Sequence, residues 1–221
     1  MLISEIFHSI QGEGELVGMP SVFVRCAGCN LRCDWCDTKY AWDENDALSL
    51  PVAEIVARAE NFSAKHCVLT GGEPMIAEDI HSLASALRAG GAHLTIETNA
   101  SSPPNGIECD LASLSPKLNN GGNVNSIKIE HQIDIVQKWI DGYYCQLKFV
   151  VQREEDIHEV KDFMDRLKSV IPNHRVFLMP EGENAENVAA RSEMIVKLCM
   201  THGWRFGQRL HLELFDGKRG V

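Results

Sequence analysis

Basic residues are scarce in this chain: 21 Lys and Arg stand against 31 Asp and Glu in 221 residues, a formal net charge of −10. Such a surface repels a phosphate backbone unless a local patch reverses it, so nucleic acid is not an expected partner. No apolar run approaches the roughly 18 residues needed to cross a bilayer, so no membrane span is expected. The first fourteen residues lack a basic stretch leading into an apolar core, and the chain therefore reads as cytoplasmic. A Pro- or Ser-rich linker, a low-complexity tract and a charge block are also missing, so residues 1–221 read as a single domain. At 44% hydrophobic and 24% charged, the composition excludes disorder, collagen and coiled coil.

What is present is a rhythm of β-branched runs and amphipathic stretches, the pattern of repeated βα units on a parallel sheet. Ser21 to Arg25 reads as a strand entering a cysteine-rich loop, and Pro51 opens a helix to Phe62, proline being tolerated at the first helical position. His66 to Thr70, His93 to Glu97, Asp110 to Leu114, Gln146 to Val151 and Arg175 to Met179 read as further strands, with Arg209 to Leu214 last. Helices are expected over Glu78 to Ala89, Ile127 to Ile140, Glu154 to Val170 and Glu186 to His202. Six or seven strands are too few for a closed eight-stranded barrel, so periodicity leaves both an open doubly wound sheet and an incomplete barrel open. Either architecture builds its site from loops at the carboxyl ends of the strands.

Eight cysteines without a secretory leader read as reduced thiols or metal ligands rather than disulfides. Cys67, Cys109, Cys145 and Cys199 are scattered through apolar contexts as small core residues, whereas Cys26, Cys29, Cys33 and Cys36 share the stretch CAGCNLRCDWC. The C-x3-C-x2-C spacing of Cys29, Cys33 and Cys36 lets three thiolates reach three corners of a cubane cluster and leaves the fourth iron open to bind a small molecule. With Cys26 added, the loop also reads as two C-x2-C pairs, a four-cysteine zinc or electron-transfer site, although their close spacing disfavours zinc. Leu69-Thr70-Gly71-Gly72-Glu73-Pro74 is a strand ending in two glycines that let backbone approach a ligand. His66, His81, His93, His131, His158, His174 and His202 have no metal spacing and read as surface or packed residues.

The cysteine loop and the GGEP stretch together resemble the radical S-adenosylmethionine enzymes. The resemblance implies a [4Fe-4S] cluster on Cys29, Cys33 and Cys36, whose open iron chelates S-adenosylmethionine, with Trp35 and Asp37 beside Cys36 near the cofactor. It also implies that Gly71, Gly72 and Glu73 receive the methionine amino group. Ser115-Pro116-Lys117 and Met179-Pro180-Glu181-Gly182 would touch ribose and adenine, or would simply be strand-ending proline turns. The implied fold is an α/β one, an incomplete (β/α)6-type, TIM-like barrel.

IFHSIQGEG, GMPSVFVR, Cys36-Asp37-Thr38 and the ending around His211 narrow the resemblance to the 7-carboxy-7-deazaguanine synthases of queuosine biosynthesis. This implies a carbon–nitrogen lyase that contracts the ring of 6-carboxy-5,6,7,8-tetrahydropterin with loss of ammonia. Ile10, Gln11, Gly12 and Glu13 would recognise the pterin, Arg25 its carboxylate, and Thr70 and His211 would lie close to it. A guanidinium is the planar fork that a carboxylate fits, and Gln and Glu supply what an aminopyrimidinone edge requires. Thr38 would bind Mg2+, a hard cation that takes few protein ligands and keeps water. A flavodoxin- or ferredoxin-type reductant and a homodimer are implied as partners. His211 could equally be a packed strand residue, and Glu97 and Lys117 could bind ribose or pair with other charges. Some relatives present a terminal carboxylate to the substrate, which leaves open whether Val221 reaches the site. A glycyl-radical-enzyme activating protein shares the cysteine spacing but leaves Gln11 to Glu13 and Asp37-Thr38 unexplained. The four-cysteine electron-transfer reading requires Cys26 as a ligand.

Overall fold

Six parallel strands neighbour one another in the order in which they occur in the chain. The computed structural model describes the chain except for residues 124–127. Its strands are β1 (Leu2–Ile10), β2 (Pro20–Cys26), β3 (Arg32–Cys33), β4 (Leu48–Ser49), β5 (His66–Gly71), β6 (His93–Thr98), β7 (Leu111–Leu114), β8 (Gly122–Asn123), β9 (Cys145–Val151), β10 (Val176–Pro180) and β11 (Arg205–Phe206). The α-helices are α1 (Val52–Glu60), α2 (Ile80–Ala89), α3 (Ile129–Gly142), α4 (Asp156–Asp165), α5 (Ala185–His202) and α6 (Leu210–Phe215). The order β2-β5-β6-β7-β9-β10 never reverses, as a doubly wound sheet would at its switch point, so the fold is the incomplete barrel. β11 extends one edge in parallel, and β1 and then β4 extend the other antiparallel.

Alternation along each strand sorts its side chains between two faces. In β9, Cys145, Leu147, Phe149 and Val151 join the main apolar core, and Gln146 and Lys148, nearly inaccessible, occupy the alternate positions. In β5 and β6, Cys67, Leu69, Leu94 and Ile96 are core residues, while His66, Thr70, Thr95 and Glu97 alternate with them. The barrel interior is thus polar at its carboxyl end. A β-bulge between Ile3 and Glu5 lets β1 serve both faces: Ile3 and Ile6 pack on the core, while Glu5 pairs across from Arg25 and Phe7 stacks on Phe23.

At the opposite end of the barrel His66 is buried, with Nδ1 2.6 Å from Ser21 Oγ and Nε2 2.9 Å from Thr95 Oγ1. Burial, helped by neighbouring His93, pushes its pKa down to about 4. The unfolded chain therefore binds this proton first as the solution is acidified. Stability present above pH 6.5 should fall by about 2 kcal/mol as pH drops toward 4. Urea unfolding at several pH values should show this decline, and His66→Gln, which cannot titrate, should flatten it.

Three expectations change. Arg209 to Leu214 is not a strand: β11 already occupies the sheet edge beyond β10, and the segment turns into α6, with the Leu212 and Glu213 N–H groups bonded to the Arg209 carbonyl. The helix expected to run to Val170 stops at Asp165, because the Lys168 and Ser169 N–H groups are taken by Gln137 Oε1 of α3. Among the described residues the main sheet has nine strands, since β1 and the two-residue β4 and β11 carry too little pattern to stand out. Ile127, the expected first residue of α3, lies outside the described residues.

Candidate active site

β2 ends at Cys26, and the loop that follows folds its other three cysteines into a separate small cluster. Cys29, Cys33 and Cys36 pack with Leu31 and Trp35, whereas Cys26 belongs to the main core, with burial and nearby Glu73 pushing its thiol to about 12. The short β3–β8 ladder holds Cys33 opposite Gly122, and Arg32 caps the Cys29 and Leu31 carbonyls at 2.6 and 2.8 Å. The loop rests on the two glycines that end β5. A Cβ on Gly72 would fall 2.1 Å from the Gly28 carbonyl oxygen, and one on Gly71, at φ +146°, would fall 2.3 Å from that of Cys26. Any larger residue would push the loop away.

The three sulfurs suit an iron–sulfur cluster. The Leu31 and Thr38 N–H groups donate to Cys29 Sγ and Cys36 Sγ, both at 3.4 Å, and Lys117 adds positive charge near all three cysteines. Burial nonetheless raises the thiols, Cys36 to about 11, so a bound metal is what would keep them ionised near neutral pH.

One cavity takes in most of the residues singled out in the sequence, from the cysteine loop to Ile10, Gln11, Gly12, Glu13, Arg25, Thr70 and His211. Ser115, Lys117 and Met179 share its wall, and Lys117 Nζ donates to Ser115 Oγ at 2.8 Å beside the Trp35 ring. Glu73, Pro116, Pro180, Glu181 and Gly182 lie outside the wall. The Glu73 carboxylate is buried as a brace, accepting from Thr98 Oγ1 and the Asn99 N–H at 2.7 Å and from the Met75 N–H at 2.9 Å. Glu181 pairs with Arg191 of α5 at 3.0 Å, and the Gly182 carbonyl accepts from Arg209.

Two buried cations that the sequence did not flag organise the far wall. Lys148 Nζ lies 2.8 Å from Glu13 Oε2 and 3.1 Å from Glu97 Oε1, and Thr70 Oγ1 donates to Glu97 at 3.1 Å. Glu97 therefore sits with the Gln11–Glu13 motif, and its contacts are pairings with Lys148 and Gln11. Arg209 joins Glu13, Asp37 and the Gly182 carbonyl. Burial alone would raise Glu13, but Lys148 and Arg209 outweigh it and hold the carboxyl at about 2. Burial likewise opposes ionisation of Asp37, and Arg209, His211 and the Thr38 hydroxyl overcome it to keep the group well below its usual range. Thr38 Oγ1 donates to Asp37 Oδ1 at 2.7 Å, which leaves its lone pairs for a cation. Glu13, Asp37 and His211 also converge within 4.8 Å, but the Arg209 guanidinium already bridges the two carboxylates.

Two glycines make this convergence possible. A Cβ on Gly12 would strike His211 Nδ1 at 2.2 Å, and the Gly12 carbonyl accepts the first N–H of α6 at 2.9 Å. Gly14, at φ +73°, lies under Gln146, whose Oε1 accepts from the Glu15 N–H at 2.9 Å, and an added Cβ would meet Nε2 at 2.1 Å. Gly14→Ala is expected to lift the loop carrying Glu13 off Lys148 and to destabilise the protein by about 1–3 kcal/mol, as urea unfolding would measure.

A sequence profile described as the Radical SAM superfamily matches residues 23–194. The chain is 36% identical to the 7-carboxy-7-deazaguanine synthase of Rhodopirellula baltica, over 100% of this chain and 89% of that one. It is 40% identical to the protein of the same name from Pyrobaculum aerophilum, over 99% of this chain and 96% of that one. Among solved structures, QueE from Escherichia coli shares the fold with a TM-score of 0.75 at 24% identity, over 95% of this chain and 94% of that one. The three-cysteine loop falls within the residues that the profile matches, and both relatives align over essentially all of this chain, so the chain belongs to the 7-carboxy-7-deazaguanine synthase family of the radical SAM superfamily.

Proposed function

We propose that residues 1–221 form one catalytic domain that converts 6-carboxy-5,6,7,8-tetrahydropterin to 7-carboxy-7-deazaguanine with loss of ammonia, as a carbon–nitrogen lyase of queuosine biosynthesis. The observation that carries this reading is that the cysteine loop and the Glu13–Lys148–Glu97 group open on one cavity. Cys29, Cys33 and Cys36 would hold the [4Fe-4S] cluster, which with S-adenosylmethionine would supply radical chemistry at the substrate carbon.

The chain's own residues position that substrate and keep water out. Arg25 has its Nε committed to Glu5 at 2.7 Å, leaving both Nη groups for the pterin carboxylate. Gln11, Glu13 and Glu97 offer fixed acceptors to the N–H groups of the pyrimidinone edge; Lys148 holds both carboxylates in place, and Lys148 and Arg209 keep Glu13 charged. Thr38 is the protein ligand we assign to Mg2+, with the substrate carboxylate and water completing the shell. Ser115, Lys117 and Met179 are assigned to the nucleoside of the cofactor. This charged, enclosed floor suits a small polar molecule better than the protein partner of an activating enzyme. A cytoplasmic homodimer supplied with electrons by a flavodoxin or ferredoxin completes the reading; among the described residues no helix is long and apolar enough to cross a membrane.

Anaerobic incubation of the reconstituted protein with the pterin, S-adenosylmethionine, Mg2+ and a reductant should yield 7-carboxy-7-deazaguanine by mass spectrometry. Reductive formation of 5′-deoxyadenosine without that product would sink the substrate assignment and leave the radical chemistry standing.

A further inference from the structure

Glu5 is the one carboxylate of β1. Its Oε1 accepts from Arg25 Nε and from the Tyr40 hydroxyl, both at 2.7 Å, and its Oε2 faces Arg219 Nε at 3.3 Å. Arg219 also donates from Nη2 to the Ser4 carbonyl at 3.0 Å, and its guanidinium lies 4.6 Å from the Tyr40 ring centroid. These contacts tie the segment 216–221 across β1. The segment turns at Asp216, Gly217 and Gly220, all at positive φ, and Lys218 and Val221 thereby become part of the cavity wall.

The same carboxylate therefore faces two arginines with different duties. Arg25 lies inside the cavity, between the rings of Phe7 and Tyr40, and its side chain is only 14% exposed. Arg219 lies half outside, on the covering segment, at 51%. A charge-assisted bond at Nε fixes the guanidinium plane, and it is this plane that decides whether the two Nη groups meet a carboxylate in parallel.

We propose that Glu5 is a positioning residue that couples Arg25 to the segment 216–221, aiming the Arg25 fork at a bound carboxylate and fastening the cover of the cavity with the same two oxygens. The coupling rests on the reading of this cavity as a pterin-carboxylate site; the clasp between Glu5 and Arg219 does not. Loss of Arg219 frees Glu5 to rotate, so the cover loosens and Arg25 loses its fixed plane together.

The test uses the cluster-loaded protein, with hydrogen exchange over residues 210–221 and affinities for 7-carboxy-7-deazaguanine and its uncharged 7-carboxamide analogue. In Arg219→Ala and in Glu5→Gln, exchange in 217–221 should quicken by about three- to tenfold, the weight of a partly exposed charge-assisted bond. Affinity for the carboxylate should fall by about tenfold, while that for the carboxamide changes by less than about twofold. Unchanged exchange in both variants overturns the clasp. Faster exchange with equal losses for both ligands, or with none, overturns the coupling. If neither ligand binds the unaltered protein, the pterin reading fails and the coupling with it, while exchange alone still decides the clasp. Arg219 is exposed enough that its alanine variant folds even where Glu5→Gln does not.

Discussion

Cys33→Ala is expected to lose the iron–sulfur cluster and all reductive cleavage of S-adenosylmethionine, while Cys26→Ala is expected to keep both. Cys33 is held opposite Gly122 with its sulfur in the pocket shared by Cys29 and Cys36, so no neighbour can replace it. Cys26 is only a few residues away in sequence, yet it is fully buried and packs in the main core, apart from the cluster that Cys29, Cys33 and Cys36 form with Leu31 and Trp35. Removing its sulfur should act like any small core truncation and cost about 1–2 kcal/mol. Iron content and the visible absorbance of the reconstituted variants separate the two results. Loss of the cluster in Cys26→Ala would bring the four-cysteine electron-transfer reading forward.

Lys148→Met is expected to produce the largest loss of stability of any single change in the cavity. The substitution keeps the stem but leaves Glu13 and Glu97, both mostly out of water, facing a site with no ammonium between them. Removing one partner of a buried ion pair costs about 3–5 kcal/mol. The sign with pH follows from Glu13, whose carboxyl is held at about 2 in the folded protein against 4.5 normally. Its contribution is fully present above pH 4.5 and is lost as pH falls toward 2; in Lys148→Met, with the strongest lowering charge gone, that window should shrink. Adding Glu97→Gln should restore about half of the lost stability in urea unfolding, because the remaining carboxylate keeps Arg209, but should not restore turnover. Wild-type stability in Lys148→Met alone would show that this ion group is solvated and does not organise the cavity.

Much of the barrel is legible in the sequence because its strands carry their own period. CQLKFVV and HLTIET alternate so regularly that the core-facing set follows from counting, and the same count sends Lys148 and Glu97 to the opposite face. A lysine at such a position is the one signal that could have found Lys148 in advance. The cysteine loop and the Gly71-Gly72 turn are legible because their chemistry requires particular residues at fixed spacing. Arg209 is not, since nothing local distinguishes it from a surface arginine; its partners Glu13, Asp37 and Gly182 come from three separate loops. RLHLELF misleads for a related reason. Its leucines alternate as in a strand, but only Leu212 is buried, and the hydrogen bond from Leu210 to Gly12, with β11 already holding the place beside β10, decides for a helix. Glu5 lies in a stretch with no regular period at all, because the bulge interrupts the count.

That interruption makes β1 unequal along its length in its tolerance of deletions. Ser4 is the extra residue between the Ile3–Cys26 and Glu5–Arg25 pairs. Excising it would leave a plain alternating strand in which Ile3 still faces the helices and Glu5 still faces the cavity. Excising Ile6 instead would put Glu5 and Phe7 on opposite faces, turning one of them out of the site. The bulge is thus the one place in β1 where the chain can shorten by a residue without turning the site inside out.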